Sequence, residues 1–441
     1  MSSETAASTM NPDATTVLLP KLRFPEFRAA DGWQPIALEE ATTRVTERVG
    51  ERKLTPVSIS AGIGFVPQAE KFGRDISGRQ YQLYTLVRDG DFVFNKGNSL
   101  KYPQGCVYQL QGWGQVAAPN VFICFRLKNG YSESFFQQCF EQNQHGKQLR
   151  RHITSGARSN GLLNISKEIF FSIKILTPAP AEQQIIADCL SSLDELIAAQ
   201  ARKVEALKTH KKGLMQQLFP REGETRPRLR FPEFQDGGQW EPSLLSELCH
   251  VKHGYAFESA YFSSQGEFIL LTPGNFYEQG GYRDRGEQQK YFTGQIPQDY
   301  VLAKGDMLVA MTEQAAGLLG SPIIVPDSDK FLHNQRLGLV VKKPGVTWEN
   351  EFFFHLFNSQ YIRKAIHDTA SGAKVRHTSP TKIGDILVSV PVTLPEQQRI
   401  ASCLSSLDAL ITAETQKLEA LKSHKKGLMQ QLFPSLEEAR P

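Results

Sequence analysis

Two segments of the chain share one spacing of apolar residues, with a leucine, isoleucine or valine at every third or fourth position. This spacing, sustained over about five heptads, is typical of a helix whose apolar seam packs against another long helix. Prolines stand before and after both segments, as expected of helix boundaries. The first seam consists of Ile186, Leu190, Leu193, Ile197, Val204, Leu207, Leu214 and Leu218, interrupted by Gln200 and Lys211. The second consists of Ile400, Leu404, Leu407, Ile411, Leu418, Leu421, Leu428 and Leu432, interrupted by Glu414 and Lys425.

The matching seams predict that the two helices pair with each other as an antiparallel coiled coil. Each helix would be roughly 55–60 Å long at ~1.5 Å per residue. One register pairs Lys211 with Glu414 and Lys425 with Gln200, which would give each polar seam residue a polar partner. It slides the helices about ten residues from full overlap, so a neighbouring register is an alternative. The alternative is that each helix packs on its own neighbouring part of the chain.

The helices belong to a larger internal duplication. LRFPEF at 22–27 returns at 229–234, and HKKGLMQQLFP at 210–220 returns at 424–434. Such self-similarity indicates two modules of common ancestry. Because the flanks match and the middles differ, the modules are expected to share one task and to have different targets. The predicted divisions are a disordered tail (1–20), a first variable domain (21–180), a first helix (181–220), a second variable domain with a short linker (221–394, linker 221–234), a second helix (395–434) and a C-terminal tail (435–441).

The divergent middles mix strands with helices, so the predicted fold class is α+β. Apolar runs following glycine predict buried strands at 90–94 and 305–311, and further strands at 121–127 and 336–342. Amphipathic helices ending in basic residues are predicted after them. SGAR (155–158) and SGAK (371–374) follow those helices.

The repeated HKKGLMQQLFP segment contains a glycine inside each helix, at a cost of roughly 1 kcal/mol relative to alanine. The apolar seam continues beyond both glycines, which favours close approach of a helix from a partner protein. The alternative is a frayed helix end. The residues assigned to partner docking are Gly213, Met215, Phe219, Gly427, Met429 and Phe433.

Composition narrows the function classes only slightly. The chain has 441 residues, a formal net charge of +4 and 40% hydrophobic residues, which permits a nucleic-acid partner without requiring one. The six cysteines form no C-x-x-C pair, so we expect neither a disulfide framework nor a metal site, and a cytoplasmic location. No apolar run approaches the ~18–20 residues of a membrane span.

Motifs of catalysis are missing from the sequence. There is no G-x-x-x-x-G-K-[ST] loop, no H-E-x-x-H and no Asn- or Asp-Pro-Pro-aromatic motif of an adenine methyltransferase. AGIGF (61–65) is a lone G-x-G, and PDSDK (326–330) lacks the remaining residues of a nuclease metal site. We therefore expect a protein that binds rather than catalyses.

In this combination, the RFPEF openings, the two divergent blocks, the EQQ-x-I-A-x-C-L-S-S-L-D helices and the KKGLMQQLFP endings resemble the specificity subunit of a type I restriction-modification enzyme, from about residue 20 onward. The resemblance implies two target recognition domains that each read one half of a split, asymmetric DNA target, with the coiled coil setting the spacer. It also implies docking of two adenine methyltransferase subunits and of motor-nuclease restriction subunits. S-adenosylmethionine, ATP and Mg²⁺ would belong to those partners, and this chain would bind no cofactor itself. The rival interpretations are a protein-interaction scaffold and a tandem DNA-binding regulator.

Direct reading of bases favours arginine, lysine, asparagine and glutamine in polar loops, since these side chains form bidentate contacts with guanine and adenine edges. A phosphate contact or a solvated loop residue is the alternative for each one. The predicted DNA-binding residues are Lys96, Asn98, Lys101, Arg158 and Asn160 in the first domain, and Gln314, Asn334, Gln335, Arg336, Lys374 and Arg376 in the second.

Overall fold

The computed structural model describes residues 18–97, 102–153, 162–313 and 317–434. The chain forms two compact units, one from Met1–Ala199 with Leu418–Pro441 and the other from Gln200–Lys417. These are called unit 1 and unit 2. Two 39-residue helices contribute to both units, so each unit contains half of one long helix and the opposite half of the other.

Unit 1 contains a recognition domain of two four-stranded sheets and a two-stranded one. Its strand orders are β2-β9-β6-β7, β4-β3-β8-β5 and β1-β10, all antiparallel except for the parallel β3–β8 pair. The strands are β1 Gln34–Ala37, β2 Thr42–Arg44, β3 Thr55–Ser60, β4 Gly64–Pro67, β5 Thr85–Arg88, β6 Phe92–Asn95, β7 Cys106–Gln109, β8 Gln115–Ala118, β9 Ile123–Leu127 and β10 Lys174–Thr177. The short helices are α1 Leu38–Ala41, α2 Gln68–Phe72, α3 Glu133–Glu141, α4 Gln144–Leu149 and α5 Lys167–Phe171, and the long helix α6 is Pro180–Leu218.

Unit 2 repeats this topology with one extra strand in its second sheet, although its sequence differs. Its orders are β12-β21-β17-β19, β13-β15-β14-β20-β16, β11-β23 and an added β18-β22 pair, and β14–β20 is again the parallel pair. The strands are β11 Glu241–Leu244, β12 Cys249–His253, β13 Phe262–Ser263, β14 Phe268–Leu270, β15 Tyr291–Phe292, β16 Val301–Leu302, β17 Met307–Ala310, β18 Thr312–Glu313, β19 Pro322–Ile324, β20 Phe331–Leu332, β21 Leu337–Lys342, β22 Arg376–His377 and β23 Leu387–Val390. The short helices are α7 Leu245–Leu248, α8 Asn350–Phe357, α9 Gln360–Asp368 and α10 Pro380–Gly384, and the second long helix α11 is Leu394–Leu432.

The predicted α+β class with antiparallel long helices is confirmed. In unit 1 the beginning of α6 meets the end of α11, and in unit 2 the end of α6 meets the beginning of α11. Every seam residue is buried or half-buried. The same helix halves also pack on the neighbouring domain. The two interpretations of the seam, pairing of the helices and packing on a domain, are therefore both correct. Ile186 and Leu190 lie in the unit 1 core, and Ile400 and Leu404 lie in the unit 2 core.

The predicted register of the helices is wrong. In unit 2, Lys211 Nζ contacts both carboxylate oxygens of Asp408 at 2.6 Å, and Gln200 Nε2 donates to Glu414 Oε2 at 2.7 Å. In unit 1, Lys425 Nζ contacts both oxygens of Asp194 at 2.7 Å. The prediction considered only polar residues on the seam itself, whereas a lysine side chain is long enough to reach an aspartate beside it. In each unit the lysine of one helix therefore pairs with an aspartate of the other helix, Lys211 with Asp408 and Lys425 with Asp194.

A buried ion pair explains why LRFPEF and EQQ occur twice. In unit 1 the Arg23 guanidinium donates two bonds, of 2.8 and 2.7 Å, to the carboxylate of Glu182. In unit 2 Arg230 does the same to Glu396, at 2.6 and 2.7 Å. An indole N–H, from Trp33 in unit 1, donates to the same carboxylate. The motif thus joins the start of each recognition domain to the start of a long helix.

Three expectations need correction. Leu18 O accepts a hydrogen bond from Trp33 N at 2.9 Å, so residues 18–20 of the disordered tail predicted over 1–20 belong to the folded part of the chain, and residues 1–17 lie outside the described residues. The first predicted amphipathic helix is broken between α3 and α4, where Asn143 has φ 58°. The second is broken between α8 and α9, where the Ser359 hydroxyl caps a new helix.

Candidate nucleic-acid interface

Three loops of unit 2 meet on one side of its sheets. Tyr255 N donates to His333 O at 2.9 Å, and Gln335 N donates to Tyr255 O at 3.0 Å, which joins the loop after β12 to the loop before β21. Met311 N donates to Arg336 O, and Met311 O accepts from Thr378 N, both at 3.0 Å. The segment 371–378 therefore joins the same face, which is called face 2 and is formed by residues 252–256, 333–336 and 371–378.

Two glycines allow this convergence of loops. A Cβ on Gly254 would lie 2.1 Å from Asn334 O, so only glycine permits the first two loops to touch. Gly372, in the SGAK motif, has φ +106°, and a Cβ there would lie 2.1 Å from Val375 O. Both positions exclude a side chain for steric reasons.

Face 2 carries basic, amide and aromatic groups. Its exposed side chains include His253, Tyr255, Gln335, Arg336, Lys374 and His377. Lys252 Nζ lies 4.8 Å from the centre of the Tyr300 ring, and the Tyr255 ring lies 5.2 Å from Tyr300. Behind the face, burial lowers the pKa of His333 to about 4, so that ring is neutral at pH 7. A surface of this composition can pair with base edges, stack on them and contact phosphates.

Unit 1 has an equivalent basic surface built from different residues. Arg44 ends β2, and its guanidinium lies 4.7 Å from the centre of the Phe171 ring. Arg48 donates to Leu83 O at 2.6 Å and to the side chain of Asn120. Lys167 is exposed nearby and lines the same small cavity. Asn120 follows β8 as Asn334 follows β20, so the two surfaces occupy equivalent places in the duplicated fold. Arg44, Arg48, Asn120 and Lys167 are called face 1.

The structure distributes the predicted DNA-binding residues unevenly. Gln335, Arg336 and Lys374 are exposed together on face 2. Lys96 is half-buried and its Nζ lies 3.5 Å from Ile165 O. Asn98, Lys101, Arg158, Asn160 and Gln314 lie outside the described residues.

Two of the predicted contacts are occupied within the chain. Asn334 is 8% exposed, and its Oδ1 accepts from Arg336 N at 3.0 Å. The Arg376 guanidinium donates to the His367 ring and, at 3.0 Å, to His367 O. The Asn334 side chain therefore stabilises the loop on which Gln335 and Arg336 are exposed. The Arg376 guanidinium is already hydrogen-bonded to His367 of α9.

The predicted docking residues separate into two groups. Gly213 and Gly427 have open space where a Cβ would stand, and Met215 and Met429 pack partly against the cores. Phe219 and Phe433 correct the prediction, because they are 4% and 5% exposed and belong to the cores of units 2 and 1. Their apolar rings gain more from burial than from exposure to a partner. The repeated Leu-Phe ending therefore packs inside the core of each unit.

Sequence reasoning missed several residues of both faces. Arg44 and Arg48 lie in TRVTERVGERK, and Lys252, His253 and Tyr255 lie in VKHGY. The available signal was a basic run in the first stretch and, in the second, basic residues at the end of a strand followed by the aromatic Tyr255. Their assembly into faces depends on sheet topology, which the local sequence does not show.

Within the described ranges, no group of three His, Cys, Asp or Glu side chains could hold a metal ion. In the same ranges no helix combines the length and apolar character needed to cross a membrane.

The fold defines a class of protein: a duplicated α+β protein with two mixed sheet-and-helix domains and two antiparallel long helices. Its family follows from sequence, since residues 106–209 and 238–423 match the family described as Type I restriction modification DNA specificity domain. The chain belongs to this family, as its motifs predicted.

Individual relatives of this chain are specificity subunits of type I restriction enzymes. The chain is 27% identical over 290 residues to the type I restriction enzyme MjaVIII specificity subunit of Methanocaldococcus jannaschii, covering 64% of this chain and 66% of that relative, just under two thirds of its length. It is 26% identical over 184 residues to the EcoBI specificity subunit of Escherichia coli, covering 41% of this chain and 35% of that relative.

Solved structures share the fold. The S subunit of a type I restriction-modification system from M. genitalium has a TM-score of 0.56 at 13% identity, with 95% of this chain and 100% of that one covered. A chain from a study of complex assembly and conformational transition of the type I R-M system has a TM-score of 0.54 at 15% identity, with 92% and 98% covered.

Proposed function

We propose that this chain is the DNA-reading, non-catalytic subunit of a type I restriction-modification complex and binds an asymmetric, bipartite duplex target. Each unit reads one half-site, through face 1 and face 2, and the paired helices set the number of unread base pairs. The observation that carries this proposal is one topology repeated with two different polar faces. Equal scaffolds with unequal faces suit a target whose two halves differ.

The proposal includes the partners of the complex. Two adenine-N6 methyltransferase subunits bind the repeated regions and supply S-adenosylmethionine chemistry, and ATP- and Mg²⁺-dependent motor-nuclease subunits join for cleavage. Support comes from family membership and from the duplicated regions, which offer related surfaces to two copies of one partner. A rigid helical spacer would hold the two domains at one separation, whereas a flexible linker would tolerate many separations between the half-sites.

The test uses the complex of this chain with its cognate methyltransferase subunit and maps N6-methyladenine genome-wide. The expected result is one split motif methylated on both strands. Arg336→Ala should relax selection in one half-site by roughly tenfold to a hundredfold, the value of a bidentate base contact. Arg376→Ala, whose guanidinium is held by α9, should change selection less.

Three results would contradict the proposal. Methylation without a split motif would remove the two-reader arrangement. Equal weakening of both half-sites by Arg336→Ala would make that residue a phosphate contact. A chain that assembles with partners but retains no duplex in a sequence-specific way would be a scaffold.

A further inference from the structure

Unit 2 contains a cleft of about 690 Å³ beside the first copy of the repeated HKKGLMQQLFP segment. Residues 208–216 of α6 form one side, and the loop 277–280 with residues 358–363 at the start of α9 forms the other. Asp408 and Ile411 of α11 complete the lining. Its size lies in the range of protein pockets that bind ligands or inserted side chains. Faces 1 and 2 do not contribute to it.

The cleft is basic. Four basic side chains line it, Lys208, Lys211, Lys212 and Arg363, against the two acidic residues Glu278 and Asp408. Asp408 is already paired with Lys211. Lys212 is exposed and has no ion-pair partner in the part of the chain that the structure describes. Lys208 is paired with Glu205 of its own helix at 2.8 Å. Among the described residues, the positive charge of the lining that remains without an ion pair is therefore that of Lys212 and Arg363.

Arg363 contributes a charge whose hydrogen bonds go to neutral groups, although the carboxylates of Glu313 and Glu278 are near enough to interact with it electrostatically. Its guanidinium donates to Glu278 O at 3.1 Å, to Asn358 Oδ1 at 3.2 Å and to Gly317 O. Burial lowers the pKa of Arg363 to about 10, so it remains charged at neutral pH. A charge in such a site is stabilised by an incoming carboxylate.

The second copy of the repeated segment lacks this arrangement. Its lysine Lys425 contacts Glu141 at 3.4 Å in addition to Asp194. When Phe352-Phe353 is aligned with Phe135-Phe136, Glu141 falls where unit 2 has Asn358, and Gly146 falls where it has Arg363. The recognition domain of unit 1 thus supplies a carboxylate where unit 2 supplies an amide and a guanidinium.

We propose that the cleft of unit 2 binds an acidic, amphipathic segment of the methyltransferase subunit, an inference that rests on the proposed function. Charge complementarity requires an acidic occupant. The lining also includes Met215, Ile411 and the ring of Tyr277. Apolar groups of a peptide would gain from burial against these side chains, which a phosphate backbone cannot match. The observations therefore favour a protein segment over DNA.

The test compares two matched charge reversals in the full chain. Lys208→Glu with Lys212→Glu changes the cleft, and Lys422→Glu with Lys426→Glu changes the equivalent positions of the second copy. All four lysines are exposed, so folding should be preserved. Affinity for the purified cognate methyltransferase subunit is measured at low and high salt. We expect the first pair to weaken binding by about tenfold or more and to flatten its salt dependence, and the second pair to have a smaller effect.

Unchanged affinity in the first pair would overturn the cleft proposal, and so would equal losses in both pairs. Loss of duplex binding by the isolated chain in the first pair would assign the cleft to DNA and also overturn it. If the wild-type chain does not bind the subunit at all, the proposed function fails and this inference fails with it. If the wild-type chain binds the subunit and the first pair of substitutions leaves the affinity unchanged, the cleft proposal alone is refuted and the proposed function stands.

Discussion

The ion pair between Arg230 and Glu396 gives the sharpest prediction about stability. Glu396→Gln removes the charge and places an amide N–H₂ where the guanidinium needs an acceptor. The Arg230 and Glu396 side chains are only 8% and 3% exposed, and the Trp240 indole N–H donates to the same carboxylate at 3.1 Å. Removing one partner of a buried ion pair leaves the other charge uncompensated, which lowers the free energy of unfolding by about 3–5 kcal/mol. For a unit of this size, that corresponds to roughly 2–4 °C in Tm per kcal/mol.

Urea unfolding of the full chain, followed by the fluorescence of Trp240 and the other tryptophans, measures this loss. Glu233→Gln is the matched control in the same unit, because its ion pair with Arg399 is 49% exposed on both sides and should contribute nothing measurable. Glu182→Gln should reproduce the effect through the equivalent Arg23 pair in unit 1. If Glu396→Gln costs less than about 1 kcal/mol, or no more than the control, the pair does not join domain to helix as argued.

Other predictions concern the core, the register and pH. Phe433→Ala should destabilise unit 1 by about 3–5 kcal/mol in the same assay, because its ring lies 5.4 Å from Phe135 in the core; a stable variant with only weaker partner binding would restore the docking role. A double-mutant cycle should show coupling of Lys211 with Asp408 and none with Glu414, and the reverse would restore the register predicted from sequence. Burial lowers the pKa of His355 to about 3 and that of His145 to about 4, against about 6.5 unfolded. The unfolded chain therefore binds more protons than the folded chain below pH 6.5. The stabilising effect of the neutral histidines should be complete above that pH and should fall toward pH 4. If thermal melts show the same pH dependence of stability in His355→Gln as in the wild type, this explanation is wrong.

Predictions from the sequence were most accurate for repeats and periodic segments. The long helices were located to within two residues at each end, because a seam repeated over many turns averages out local exceptions. The strands β6, β9, β17 and β21 lie within the predicted apolar runs or extend one residue beyond them. The helix after β9 was predicted as one element and is two, because Asn143 adopts a left-handed conformation that no periodicity reports.

The candidate site was predicted only in part. Gln335, Arg336 and Lys374 were recognised as polar loop residues and are exposed together. Asn334 and Arg376 have the same residue chemistry, but hydrogen bonds within the chain occupy them. Residue type states what a side chain can bind, and its neighbours decide whether it is free to do so.

By itself, the sequence determined the duplication, the long helices and the family, since each depends on a pattern that survives without knowledge of contacts, and it favoured antiparallel pairing of the helices. Tertiary structure decided the register, the burial of Phe219 and Phe433, and the assembly of faces 1 and 2. These features depend on residues distant along the chain, such as Lys211 with Asp408 or Gly254 with Asn334. Side-chain reach and steric exclusion act through space, so local sequence patterns cannot specify them.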